Sequence, residues 1–172
     1  MEHLQYPVGK WIIIEEHSQS EIKNLLSQIN ELASQYRTLI ENLDTISLAK
    51  TYREDSWNIR QLVHHVADTL LFHYLRLKHA LTEDKPNGVI GKINDWATMA
   101  DYTEGPIEDS LLMIESVHRR FVFLFERLET SVYTKSYYHT GRQLFVTLPQ
   151  TLDMIVWHLK HHLAHIDIAL KA

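Results

Sequence analysis

The nonapeptide WHLKHHLAH, residues 157–165, carries four histidines, and eight of the chain's twelve fall in two segments, His64–His79 and His158–His165. Neutral imidazole is both an acid–base group and a common metal ligand, so spacing decides what such a cluster can do. An α-helix turns about 100° per residue. With Leu152 at zero and the apolar stripe around it, His162 falls at about 280°, His158 at about 240°, His165 at about 220° and His161 at about 180°. His158 and His162 therefore flank the stripe most closely, one turn and about 6 Å apart along the axis. Two imidazoles so placed can converge on one ion, with bonds of about 2.0–2.1 Å.

A firmly held ion needs a third ligand, and a second histidine-rich helix offers His64, His65 and His73. On a wheel starting at Ile59, His65 lies at about 240°, the flank position that His158 occupies on its own helix. The wheel thus favours His65 and leaves His73 and His64 open. Three neutral imidazoles without carboxylate or thiolate leave a tetrahedral ion one free position, the catalytic rather than the closed structural pattern. Such an ion can bring the pKa of bound water towards ~7 or deprotonate a thiol supplied by a substrate. The HExxH pattern of zinc proteases is absent, because Leu159 stands where it needs glutamate. Asp68, three residues after His65, is a candidate to orient an imidazole or take a proton, and His139 is a candidate at a pocket mouth. Both read equally as ordinary surface residues. His161 and His165 read either as partners behind the ligands or as exposed polar groups, and Trp57, Trp96 and Trp157 as packing residues.

Positioning these side chains requires long amphipathic helices. Ser18 and Glu21 form a capping-box pattern ahead of helical apolar spacing from Ile22 to Leu43, which predicts a first helix over 19–43. Ser56 is the expected cap of a second, over 56–81. Residues 82–105, with Pro86, Gly88, Gly91 and Gly105, form a long crossover holding a short helix capped by Asn94 or Asp95. Pro106 opens a third helix to about 129. Alternation over 132–147 around Thr140-Gly141 predicts a small β-hairpin. Thr147 and Gln150 form a second capping box, starting a fourth helix to about 170. Residues 1–17 read as an extended strap. The expectation is one all-α domain over 1–172, a four-helix bundle whose second and third helices can run parallel.

Composition narrows the function. The 172 residues carry a net charge of −5 with no basic stripe, which argues against nucleic acid and an anionic membrane surface. No stretch approaches the ~20 apolar residues of a membrane helix. There is no cysteine, so thiolate ligands and a cysteine nucleophile are excluded. A soluble, cytoplasmic protein is expected.

Taken together, YPVGKW, YREDSWNIRQLVHHVADTLLFHYLRLKHAL, NDWA, YYH and VWHLKHHLAH resemble the DinB/YfiT-like superfamily of four-helix metal proteins over nearly the whole chain. The resemblance implies an up-down-down-up bundle holding zinc or nickel through three histidines. Matched motif by motif, these are His65, the second histidine of VHH, and the WHxxxH pair His158 and His162. It implies a metal-dependent hydrolase acting on a small molecule. Its alternative is a thiol S-transferase that joins bacillithiol or a similar small thiol to electrophiles. Homodimers are common in the family. A non-catalytic metal-binding bundle is the third reading.

Overall fold

A computed structural model describes residues 2–172. Eight helices and one hairpin follow in order: α1 (Glu2–Gln5), α2 (Gln19–Ile40), α3 (Thr45–Leu48), α4 (Ile59–Thr82), α5 (Ile93–Trp96), α6 (Ala100–Glu104), α7 (Ile107–Phe125), β1 (Ser136–His139), β2 (Leu144–Thr147) and α8 (Leu148–Lys171). The four long helices form a ring in which α2 packs on α8 and α7, and α4 packs on the same two. Their directions follow from contacts near their ends. Gln150 Nε2 donates to the Ile14 carbonyl and Lys160 to Gln28, so α2 and α8 run parallel. Arg60 donates to the Gly105 carbonyl and His64 meets Ser110, so α4 and α7 are also parallel. The Arg37 guanidinium near the end of α2 binds Glu108 and Glu115 in the first half of α7, which makes α2 and α7 antiparallel. This is the up-down-down-up order.

Helix ends are set by capping chemistry. Ser18 and Thr147 cap α2 and α8 through reciprocal boxes with Glu21 and Gln150, as the sequence predicts. The start of α4 differs. Asn58, not Ser56, is the cap, in a box with Gln61, while the Ser56 hydroxyl closes a turn on the Arg53 carbonyl at 2.8 Å. The first helix ends at Ile40 rather than residue 43, and the third at Phe125 rather than 129. In the crossover, Lys92 precedes α5 with no side-chain cap, and Asn94 and Asp95 lie inside that helix. The strands pair antiparallel, Ser136 with Thr147 and His139 with Leu144, and occupy only the inner part of 132–147.

Ile29, Ile59, Leu62, Leu111, Ile114 and Phe121 fill the bundle's interior. The buried Tyr36 donates its hydroxyl proton to the Leu159 carbonyl at 2.9 Å, giving that ring's polar end a partner. The strap contains one helical turn, α1, and then runs antiparallel to α8. His165 meets the Leu4 carbonyl at 3.1 Å, Trp157 donates to the Gly9 carbonyl at 3.0 Å, and Trp11 donates to Asp153 at 2.8 Å. Gly91 allows the crossover to press on α4. A Cβ there would lie 2.7 Å from the Trp96 ring, which itself packs on Phe72. No helix among the described residues is long and apolar enough to cross a membrane.

Candidate metal centre

Because α4 and α8 run side by side, His65 faces His158 and His162. Nε2 of His65 lies 3.0 Å from Nε2 of His158. The His65 ring centroid is 4.8 Å from that of His162, and those of His158 and His162 are 4.5 Å apart. One ring nitrogen from each of the three falls within 4.8 Å of the others. Two bonds of ~2.0–2.1 Å at a tetrahedral angle hold their nitrogens ~3.3–3.4 Å apart, so the 3.0 Å pair is already close to the edge of a coordination polyhedron. Burial pushes His65 down to about 3 and holds His158 and His162 well below the usual imidazole range, with neighbouring rings adding to the effect. All three are therefore neutral at pH 7, the form that offers a lone pair.

The wheel places His161 and His165 on the more exposed side, yet both are buried, at 7% and 2% exposure. The strap is the reason. Tyr6 lies against His161, Leu4 meets His165, and Tyr52, from the segment before α4, stacks on His165 at 3.8 Å. His161, His162 and His165 form a second group whose nitrogens lie within 4.8 Å of one another. Hydrogen bonding separates the roles. A carbonyl only accepts, so His165 Nε2 donates to Leu4. Burial holds His165 down at about 4 and hence neutral, so its Nδ1 must be a lone pair. His162 Nδ1, 3.3 Å away, then donates to it, and Nε2 of His162 is left as the free lone pair. The strap thereby sets the tautomer of a candidate ligand. Thr69 stands 3.5 Å from His65 Nδ1 and can act in the same sense on that ring.

His65, His158, His161 and His162 open onto a cavity of about 390 Å³. Its walls include Trp57, Phe72, Met154 and Trp157, with Ile90, Gly91 and Ile93 from the crossover and His139, Gly141 and Arg142 from the hairpin. Trp57 and Trp157, read from sequence as packing, line this space. Trp57 packs on His65 and Trp157 stacks on His161 at 4.8 Å. His73 also lines it, 6.5 Å between ring centroids from His158, with Nδ1 buried and unbonded. His139 lines it with Nδ1 likewise unbonded, and burial together with the charges of Arg76 and Arg142 pushes it down to about 4. His64 points towards α7, where Nδ1 meets the Ser110 hydroxyl at 2.7 Å. Asp68 faces α6 and accepts the Tyr102 hydroxyl proton at 2.6 Å. It is not among the cavity's lining residues. Burial pushes its carboxyl up, against that hydrogen bond. Arg76 and Arg142, which sequence reading passed over, complete the wall. The one sequence signal for Arg76 was its position three residues after His73, on the same helix face.

The donor set suits a divalent metal ion: clustered neutral imidazoles, two buried and one half-buried, with ring nitrogens lacking protein partners beside them. Known proteins agree with this chemistry. Proteins named "Putative metal-dependent hydrolase" are 38% identical in Halalkalibacterium halodurans, over 96% of each chain, and 39% identical in Bacillus pumilus, over 99% of this chain and 97% of that one. The solved structure of YfiT from Bacillus subtilis, described as a probable metal-dependent hydrolase with an unusual four-helix bundle topology, superposes with a TM-score of 0.92. It is 28% identical and covers 96% of this chain and 94% of its own. A family model of the DinB superfamily matches residues 28–166, and this chain belongs to that superfamily.

Proposed function

We propose that the protein is a metal-dependent enzyme, hydrolytic in type, in which His65, His158 and His162 hold one divalent ion, zinc or nickel, at the inner end of a small-molecule cavity. The observation that carries this reading is the approach of three neutral imidazoles from two helices, His65 and His162 buried and His158 half-buried, with two Nε2 atoms 3.0 Å apart. A bound divalent ion supplies Lewis acidity, which lowers the pKa of a water or thiol in its open position. The chain's own residues do the rest. The apolar faces of Trp57, Phe72, Met154 and Trp157 take a small substrate and displace water around it. His73, His139 and His161, all neutral and each with an unbonded Nδ1, are groups lining the cavity able to accept a proton.

A second reading, thiol transfer to an electrophile, has its own support. No Asp or Glu lines the cavity among the described residues. Water at neutral pH normally needs a well-matched base, whereas a thiol with a pKa of about 8.5 needs less help. With no cysteine in the chain, that thiol must be a separate small molecule.

Zinc- or nickel-loaded protein incubated with activated esters and amides, and with 1-chloro-2,4-dinitrobenzene in the presence and absence of a small thiol, separates the readings. Metal-dependent ester or amide turnover without thiol is the result expected for the hydrolase. Conjugation that requires both thiol and metal favours the transferase. Metal bound with no turnover in either assay points to a non-catalytic bundle and contradicts the proposal.

A further inference from the structure

Arg76 and Arg142 line the cavity, while the chain as a whole is acidic at −5. Arg76 sits deep, at 4% exposure, and Arg142 is at the exposed rim. Among the described residues neither guanidinium takes part in an ion pair; every such pair lies elsewhere on the molecule. Arg76 donates Nε–H to the Val89 carbonyl at 2.8 Å, a bond that fixes its orientation without offsetting its charge. Its other neighbours are aromatic, with the guanidinium carbon 5.6 Å from the Tyr137 ring centre and 5.8 Å from that of Phe72. Arg142 is held similarly, 5.0 Å from Trp11 and 5.9 Å from Trp157. Both guanidiniums line the same cavity as His73 and His139. A charge buried this deeply is ordinarily paired. Here the aromatic faces hold the planar forks in place, and among the described residues no carboxylate supplies the counter-charge.

We propose that Arg76 and Arg142 form an anion subsite, so that the small molecule taken by this cavity carries a carboxylate or phosphate group. The identification of that molecule as a substrate rests on the histidine cavity being the reaction site. The guanidinium fork matches both oxyanions, giving two parallel N–H···O bonds where a lysine would offer a point charge. Arg142, at the rim, meets the arriving anion first, and Arg76 receives it at depth. The acid group is thereby anchored while the remainder of the molecule lies along the aromatic wall towards His65 and His158.

The test uses the full chain stripped of metal by dialysis against a chelator and then buffer. Trp57 and Trp157 line the cavity, so intrinsic fluorescence reports its occupancy. Malonate and inorganic phosphate are titrated separately at pH 7.5, with chloride holding ionic strength constant. A saturable change with at least one of them is expected, and the tighter of the two identifies the anion class. Arg142→Gln, at an exposed position outside the core, weakens that binding by about tenfold or more, as loss of a bidentate charged contact should. Arg76→Lys keeps a buried charge but loses the fork, and weakens it too. Arg127→Gln, whose guanidinium lies over Phe123, leaves it unchanged. Absence of saturation with both anions, or an unchanged Kd in Arg142→Gln, overturns the subsite. Metal stoichiometry on parallel, unstripped samples tests the histidine site separately: anion binding with no metal retains the subsite and sinks the metal reading, and metal without anion binding does the reverse.

Discussion

Replacing His158 with alanine is expected to weaken zinc binding by roughly 10²–10³-fold while leaving the helical fold in place. The magnitude follows from sharing a site energy of about 10–16 kcal/mol among three or four ligands, or roughly 3–4 kcal/mol each. The fold survives because the core is built from residues such as Ile29, Ile59, Leu111 and Phe121, none of which depends on the ion. His65→Ala and His162→Ala should match it. His165→Ala should cost less, about 10–100-fold, since that ring acts only by receiving the Nδ1 proton of His162. Competition against a zinc-sensitive dye measures each affinity, and circular dichroism checks the fold. Equal losses in His165→Ala and His158→Ala would place His165 among the direct ligands. Loss of structure in every variant would mean that the ion supports the scaffold.

The metal-free protein should be markedly acid-sensitive from about pH 6.5 downwards. His73, His158 and His162 are held well below the usual imidazole range, first by burial and then by neighbouring charges and rings. A histidine whose folded pKa is depressed binds its proton more readily unfolded, so its contribution to stability is complete above its unfolded pKa of ~6.5 and is lost as pH falls towards the folded value. Each such group removes up to about 1.4 kcal/mol per pH unit inside that window. These three alone remove about 3 kcal/mol between pH 6.5 and 5.5, because the unfolded histidines are only half protonated at the upper end, and His65, His139, His161 and His165 act in the same sense. For a chain of this size about 3 kcal/mol corresponds to a fall in Tm of about 6–12 °C. The surface acids with lowered pKa, Glu2, Glu21, Asp44 and Glu108, act only at more acidic pH, below the ordinary carboxylate range. Asp68, raised by burial, works in the opposite sense but is a single group. Scanning calorimetry at intervals from pH 7.5 to 5.0 gives the slope. A Tm that stays flat to pH 5.5 would show that these rings are already protonated or solvated in the folded state.

What the sequence disclosed and what it hid divide by range. Local chemistry was legible: the reciprocal boxes at Ser18 and Thr147 and the apolar periodicity located the long helices to within a few residues. The error at Ser56 arose between two good caps two residues apart. Asn58 wins because Gln61, three residues on, returns the hydrogen bond, a pattern that was itself present in the sequence. The pairing of His65 with His158 needed only helix faces and an assumption of packing, and the wheel favoured it while leaving His73 and His64 open. The burial of His161 and His165 was not recoverable that way, because it depends on contacts between residues 4–9 and 157–165 at opposite ends of the chain. Arg76 and Arg142 were hidden for a related reason. An arginine on a helix and one in a hairpin turn look like surface residues until the aromatic walls around them are known.

The proposed ion lies between α4 and α8, held by His65, His158 and His162. Crystals grown with zinc, with anomalous-difference data collected on either side of the zinc absorption edge, would locate it. A single strong peak is expected about 2.0–2.1 Å from a ring nitrogen of each of the three, facing the cavity. A peak centred among His161, His162 and His165, or none at full zinc loading, would contradict it.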